Sequence, residues 1–171
     1  MRYYKVDPES VEDLSFKNAH STMFELKSLI KPGVDVKALN PHQKEMSLPV
    51  RERNGEYYVA VQPQFRVIVP TGIAFSIPVK FQLRLTPNRD LSVKTGVTIL
   101  GGTEVYDNDY TDEIKITLIN NSDTPVYIFS NEVIAYGVLA KVLEYSLEKT
   151  DRKVAFKTIK GSRETEKDDE E

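Results

Sequence analysis

An acidic turn is the part of this sequence whose residue types could do chemistry. Between Gly102 and Ile114, carboxylates, an amide and a tyrosine crowd into one short stretch: Glu104, Asp107, Asn108, Asp109, Tyr110, Asp112 and Glu113. A carboxylate held on a turn between two strands could act as a general base or hold a hydrated cation, because the flanking strands fix its direction. Acidic turns are also commonly no more than solvated surface. The residues alone leave both interpretations open.

Two strands are expected to position this turn. Residues 96–102 form an apolar run punctuated by glycines, which suits a strand that ends in a tight turn requiring positive φ. After the turn, residues 114–118 alternate apolar with polar side chains, the pattern of a strand with one buried face. The acidic turn is therefore predicted to be held between two strands.

Similar short segments recur along the whole chain. One clear example places Val79, Phe81, Leu83 and Leu85 in alternation with polar residues. About a dozen such segments, separated by turn signals and without a convincing amphipathic helix, predict an all-β fold: a sandwich, a jelly roll or a barrel. We expect this β domain to occupy residues 1–159.

Two segments depart from the strand pattern. From residue 31 to residue 56, turn signals follow one another closely, so an inserted loop or flap is predicted there. Residues 160–171 contain no apolar side chain and are mostly charged, so a mobile acidic tail is predicted at that end.

Composition excludes several functional classes. The formal net charge of −3 gives no basic surface for long nucleic acids. With no cysteine and two histidines, neither a thiolate nor a histidine-rich metal site is expected, and no metal ligands are assigned. No apolar run approaches the ~20 residues that span a bilayer, and the N-terminus lacks a signal-peptide core. A cytoplasmic protein without membrane contact is expected.

Several segments together resemble the trimeric dUTPase family. The matches keep the spacing of that family's motifs without a gap from Pro87 to Tyr136. Residues 69–74 resemble "V-P-T-G-I-A", residues 87–96 "P-R-S-G-L-A-x-K-x-G", residues 107–114 "D-x-D-Y-R-G-E-I", and residues 131–136 "G-D-R-I-A-Q". The looser similarity extends over about residues 22–142.

The resemblance implies a distorted β jelly roll that forms a homotrimer with active sites at the subunit interfaces. It implies hydrolysis of dUTP to dUMP and pyrophosphate, with magnesium on the triphosphate. Asp107 matches the aspartate that activates water, and Tyr110 matches the aromatic residue that packs under the deoxyribose. Glu25 matches the acidic residue of the first motif and is one methylene longer.

The phosphate-binding motifs of this chain differ from the family pattern. Asn88, Arg89 and Asp90 stand where the family has arginine, serine and glycine, so a carboxylate lies near the expected phosphate position. Val133 and Tyr136 replace an arginine and a glutamine in the fourth motif. The glycine-rich C-terminal arm of the family has no clear counterpart.

These departures predict a catalytically impaired protein that serves as a structural or protein-binding module, for example a phage virion or regulatory component. The alternative is an active magnesium-dependent hydrolase of dUTP, in which Arg89, Lys94 or Arg152 supplies positive charge to the phosphates. A sensor that binds a deoxynucleoside triphosphate without hydrolysing it is a third interpretation. Arg89 is accordingly a candidate nucleotide-binding residue together with Tyr110 and Glu25.

Overall fold

Antiparallel β-strands dominate the computed structural model, which describes residues 1–147 and 149. The strands before the helix are β1 (Arg2–Lys5), β2 (Phe24–Lys27), β3 (Val36–Leu39), β4 (Glu45–Leu48), β5 (Arg51–Arg53), β6 (Glu56–Val61), β7 (Arg66–Ser76) and β8 (Phe81–Pro87). They are followed by α1 (Arg89–Thr95), β9 (Val97–Ile99), β10 (Glu104–Tyr106), β11 (Glu113–Asn120), β12 (Val126–Phe129) and β13 (Val133–Lys141). The predicted all-β fold is confirmed.

Three sheets share one core. The largest has the order β4-β3-β7-β11-β9, and β1 pairs with the second half of β7. A four-stranded sheet has the order β10-β8-β13-β2, and a smaller one the order β12-β6-β5. The long strand β7 is central because it pairs with β1, β3 and β11. The acidic turn connects β10 of the four-stranded sheet to β11 of the six-stranded sheet.

Alternation of side chains builds the core. In β11, Ile114, Ile116 and Leu118 are buried, whereas the residues between them are not. Leu83 and Leu85 of β8 are also buried, on the inner face of the other sheet. Each such side chain contributes about 1.5–3 kcal/mol on burial, so the turn is anchored at both ends by well-packed strands.

The prediction of a loop or flap at residues 31–56 is wrong. Strands β3 and β4 form a hairpin, and β3 also pairs with β7 in the main sheet. Val36, Ala38 and Leu48 are buried in the common core. Strands of four residues contain too few alternations to stand out between closely spaced turn signals, and the turn residues mark only the ends of these strands.

The helix α1 was also not expected. Its N-terminal cap is Asn88, whose side chain accepts hydrogen bonds from the backbone N–H groups of Asp90 and Leu91 at 3.1 and 3.4 Å. Gly96 ends the helix in the left-handed region with φ of 79°. Only Leu91 of the helix is buried, so its seven residues carry no amphipathic period that the sequence could reveal.

Some predictions fall outside the described residues, or are addressed by them only in part. The acidic tail at 160–171, the proposed boundary at residue 159 and Arg152 lie beyond the part of the chain that the structure describes. Within that part, no helix combines the length and apolar character needed to cross a membrane.

Candidate active site

Asp107 begins the turn between β10 and β11. Its side chain is exposed, and the turn is closed by a hydrogen bond of 3.1 Å from the backbone N–H of Tyr110 to the carbonyl of Asp107. Asp107 borders an open groove of about 310 Å³ that is also lined by Val79, Lys80, Phe81, Asn108, Val142, Leu143 and Glu144. A carboxylate in this position is accessible to water and to a bound ligand.

Tyr110 is held in place from two directions. Its hydroxyl donates a hydrogen bond of 3.0 Å to the backbone carbonyl of Glu113. Its ring contacts the ring of Tyr106 edge-on, with 4.7 Å between the centroids. Burial raises the pKa of the Tyr110 hydroxyl, and the carboxylates of Asp112, Glu113 and Glu104 raise it further. The phenol is therefore a neutral donor, and the ring direction is fixed before any ligand arrives.

The far end of the turn is fixed to β7. The Glu113 carboxylate accepts a hydrogen bond of 2.7 Å from the backbone N–H of Gly72, and the Thr71 hydroxyl donates to the carbonyl of Ile114 at 2.7 Å. The pairing of β11 with β7 is irregular here, between Glu113 and Lys115. Gly72 has φ of 69°, and a Cβ built on it would lie 2.4 Å from a methyl group of Val11. Residues 69–74 thus fix the position of the end of the turn through the hydrogen bonds of Thr71 and Gly72.

The other end of the turn carries contacts that sequence reasoning missed. Glu104 accepts hydrogen bonds from the backbone N–H of Thr117 and from the Tyr106 hydroxyl, both at 2.8 Å. Neither Glu104 nor Asp112 has positive φ, so neither position carries left-handed backbone strain. The sequence shows Glu104 only as one of several acidic residues and gives no sign of its backbone partner.

Glu25 lies on β2 beneath the N-terminal segment. Its backbone N–H donates to the carbonyl of Ser15 at 2.9 Å, and its side chain is half-buried beside a small cavity of about 20 Å³, room for one water molecule. On the neighbouring strand, Tyr136 lies directly opposite Glu25, and the ammonium of Lys17 lies 4.6 Å from the centre of the Tyr136 ring.

Three ion pairs fasten the N-terminal segment over this side of the molecule. Lys5 pairs with Asp13 at 3.1 Å, Lys27 pairs with Glu12 at 2.6 Å, and Lys31 pairs with Asp7. The hydrogen bond from Lys31, followed by that from Ser10, lowers the pKa of the Asp7 carboxyl to about 2. The segment therefore covers Glu25 through charged contacts at the surface.

Arg89 and Asn88 have different surroundings although they are adjacent. Arg89 is exposed on the first turn of α1, and no carboxylate of the described residues pairs with it. Asn88 is turned inward: its side-chain amide donates to the carbonyl of Val133 at 2.7 Å while its oxygen caps the helix. Lys94 borders a groove at the opposite end of α1. The Asn88 side chain is thus fully used in hydrogen bonds that hold the fold. The Arg89 guanidinium has no carboxylate partner among the described residues.

One chain does not bring all the candidate residues together. Asp107 and Tyr110 share a turn, whereas the grooves that Asp107 and Glu25 border have no residue in common, and Arg89 borders neither groove.

Across residues 1–147 and 149, no group of three or more histidine or carboxylate side chains could hold a metal ion. Magnesium usually keeps several waters and binds through substrate phosphates with one or two carboxylates. A magnesium ion held by a triphosphate and its own waters would need no such group of protein ligands.

Comparison with known proteins gives consistent results. The family model described as dUTPase matches residues 55–163. The deoxyuridine 5'-triphosphate nucleotidohydrolase of Hydrogenobaculum is 42% identical over 86 residues, which is 50% of this chain and 60% of that protein. The enzyme of the same name from Bdellovibrio bacteriovorus is 30% identical over 139 residues, covering 81% of this chain and 83% of that protein.

Solved structures show the same fold. The dUTPase from phage phi11 of Staphylococcus aureus covers 91% of this chain with a TM-score of 0.66 and 14% identity. The dUTPase from Streptococcus mutans covers 84% of this chain with a TM-score of 0.61 and 16% identity. At such identities the likeness concerns the fold alone, so a phage origin of this chain stays a prediction.

The expectation of a catalytically impaired structural module is wrong. Relatives at 30% identity or more are named as dUTP nucleotidohydrolases, and no contact in the described residues demonstrates a loss of activity. The altered motif residues have local roles instead, since Asn88 caps a helix and Glu104 joins two strands. With a family model that matches more than half of its length, this chain belongs to the dUTPase family.

Proposed function

We propose that this protein is an active dUTP nucleotidohydrolase that converts dUTP and water to dUMP and pyrophosphate. The observation that carries the proposal is the exposed Asp107 carboxylate on a turn whose Tyr110 is fixed by a hydrogen bond and a ring contact. The names of the relatives support the same reaction. A cytoplasmic location, where deoxynucleotides are made, fits this activity.

In this reaction Asp107 is the general base. A water molecule beside its carboxylate adds to the α phosphorus, and its proton passes to Asp107. The bond between the α phosphorus and the α–β bridging oxygen breaks, and this oxygen leaves as part of pyrophosphate, so that dUMP remains. General bases contribute about 10²- to 10⁴-fold to such rates, and stabilisation of phosphate charge adds a further large term.

Tyr110 and Glu25 are assigned to substrate binding. The ring of Tyr110, already braced by Tyr106, gives a flat surface for the deoxyribose. Glu25 borders a cavity beneath the N-terminal segment that shares no lining residue with the groove of Asp107. Magnesium bound to the triphosphate would neutralise part of its charge.

The positive charge for the phosphates is assigned to Arg89. Its guanidinium is exposed and free of carboxylate partners within the described chain, so it is available to a phosphate. Asp107 and Arg89 border no common groove in one chain, which supports a site completed by a second copy. Apolar side chains beside Asp107 support this: Val79 is 70% exposed and Leu143 is 83% exposed.

We therefore propose a homotrimer with sites between subunits. Light scattering should give three times the mass of the 19.5 kDa chain. Mixed trimers of Asp107→Asn and Arg89→Ala chains should recover part of the activity that each variant lacks alone, because some interfaces then carry both native residues. A monomer in solution would contradict this assembly.

The direct test is pyrophosphate release from dUTP with magnesium, with the other deoxynucleoside triphosphates measured in parallel. Asp107→Asn should lower kcat by roughly 10²-fold or more. Asp109→Asn is the matched control, because it makes the same change in charge on the same exposed turn. Equal turnover by the wild type and Asp107→Asn would contradict the proposed base, and no turnover by the wild type would contradict the function.

A further inference from the structure

The two arms of the acidic turn belong to different sheets. Strand β10 pairs with β8, in a register that places Glu104 opposite Leu85. Strand β11 pairs with β7 and β9 instead. Among the described strands, no backbone ladder joins β10 to β11. The direct contacts between the two arms are therefore made through side chains.

Glu104 provides the connection between the two arms. One of its carboxylate oxygens accepts the backbone N–H of Thr117 on β11 at 2.8 Å. The other accepts the Tyr106 hydroxyl at 2.8 Å, and the carbonyl of Lys115 on β11 lies 3.3 Å from the same hydroxyl. One carboxylate oxygen of Glu104 thus bonds β10 to β11 directly, and the other holds the Tyr106 hydroxyl on β10 close to the Lys115 carbonyl on β11.

The surroundings strengthen this connection. Glu104 and Tyr106 are both half-buried, so their hydrogen bonds compete less with water than bonds on an open surface would. Burial first, and then the Glu104 carboxylate, raises the pKa of the Tyr106 hydroxyl. The hydroxyl therefore keeps its proton and stays a donor to Glu104, and a hydrogen bond to a charged acceptor is stronger than a neutral one.

The connection leads directly to the site. Tyr106 precedes Asp107 in the chain, and its ring supports the ring of Tyr110 at 4.7 Å. A change in the position of Tyr106 would move both the carboxylate and the aromatic surface. A glycine at position 104 would have no side chain with which to make these contacts.

We propose that Glu104 is a positioning residue that fixes the direction of Asp107 and Tyr110 by joining β10 to β11. The proposal rests on the proposed dUTP hydrolysis, and it adds a residue that touches neither substrate nor metal. Because a misplacement of about 1 Å can cost 10²-fold in rate, loss of the connection should be visible mainly in kcat.

The experiment compares three variants by backbone amide exchange and by steady-state kinetics. Glu104→Ala should release the amide of Thr117, with faster exchange by about 10-fold or more, and should lower kcat by roughly 10- to 100-fold with a smaller change in KM. Glu104→Gln keeps an oxygen that accepts from Thr117, and its NH2 group can donate to the Tyr106 hydroxyl in place of the present bond, so it should retain most of both properties. Tyr106→Phe keeps the ring, and its Thr117 exchange rate and kcat should lie between those of the two Glu104 variants.

Glu52→Ala serves as the control, because Glu52 is an exposed glutamate on β5 in another sheet. Wild-type kcat in Glu104→Ala, or an unchanged Thr117 amide, would overturn the proposal. So would Glu104→Gln that keeps the Thr117 amide protected but has a kcat as low as that of Glu104→Ala, since the rate would then depend on charge at position 104 and not on the connection. A wild type without turnover would overturn the proposed function instead, and the Thr117 amide would then decide whether Glu104 joins the strands.

Discussion

The side-chain amide of Asn88 donates a hydrogen bond of 2.7 Å to the backbone carbonyl of Val133, which ties the start of α1 to the start of β13. The same side chain caps the helix through the N–H groups of Asp90 and Leu91. Two segments that are 45 residues apart are thus joined by one amide. This contact orients the turn that carries Arg89.

Asn88→Ala should lower the free energy of unfolding by about 1–2 kcal/mol for the lost cap and by about 1 kcal/mol for the lost hydrogen bond to Val133. Asn88→Ser is the matched variant, because serine caps a helix but cannot reach the carbonyl. It should lose only the second contribution. Urea unfolding measures the free energy of unfolding of both variants. An equal decrease in Asn88→Ala and Asn88→Ser would show that the cap contributes nothing.

Gly72 should tolerate no side chain. Its φ of 69° already disfavours other residues, and a Cβ would meet Val11 at 2.4 Å and Leu29 at 3.0 Å. We expect Gly72→Ala to cost more than about 2 kcal/mol, from left-handed backbone strain together with overpacking. Gly33→Ala is the control: Gly33 has φ of 85° and nothing within 4 Å, so it should show the backbone cost of about 1 kcal/mol alone. Equal effects of the two substitutions on the thermal midpoint would exclude a steric role for Val11.

The sequence predicted the strands that repeat their pattern and missed the elements too short to do so. The alternation at residues 114–118 predicts most of the eight-residue strand β11, whereas β3 and β4 have four residues each and α1 has one buried side chain. In the site, Asp107 and Tyr110 lie on one turn as their spacing suggested. The hydrogen bond from the amide of Thr117 to Glu104 joins residues 13 positions apart. Because its donor is a backbone N–H, which every residue but proline has, the sequence does not predict it.

Asn120 should be essential for stability although it has no assigned role in the reaction. It is fully buried at the end of β11, and its amide donates to the carbonyls of Val61 and Thr124 at 2.9 Å. Its oxygen accepts from the N–H and hydroxyl of Ser122. Asn120→Ala leaves the buried Val61 carbonyl without this donor and removes three further hydrogen bonds to Ser122 and Thr124, so a loss of about 2 kcal/mol or more is expected. The exposed Asn121 supplies the control, and a substitution there should change the urea midpoint little; comparable losses at both positions would contradict the assignment.

The ion pair between Asp7 and Lys31 should make stability depend on acid pH in a definite direction. The Asp7 pKa is about 2 in the folded chain against an ordinary value of 3.8, because Lys31 and Ser10 stabilise the carboxylate. A carboxyl whose pKa is lowered by folding stabilises the folded state above its unfolded pKa, and this contribution disappears as the pH falls through the folded pKa. Wild type should therefore be more stable than Asp7→Asn above about pH 4, with the difference shrinking between pH 4 and pH 2.

Urea unfolding of wild type and Asp7→Asn at several pH values measures this difference. Asp109→Asn is a suitable reference, because its carboxylate lies on the exposed turn and no lysine or arginine of the described chain pairs with it. Added salt should reduce the Asp7 effect at neutral pH, since ions screen a pair at the surface. A difference that stays constant from pH 7 to pH 2 would mean that Asp7 holds the N-terminal segment through hydrogen bonds that do not depend on its charge.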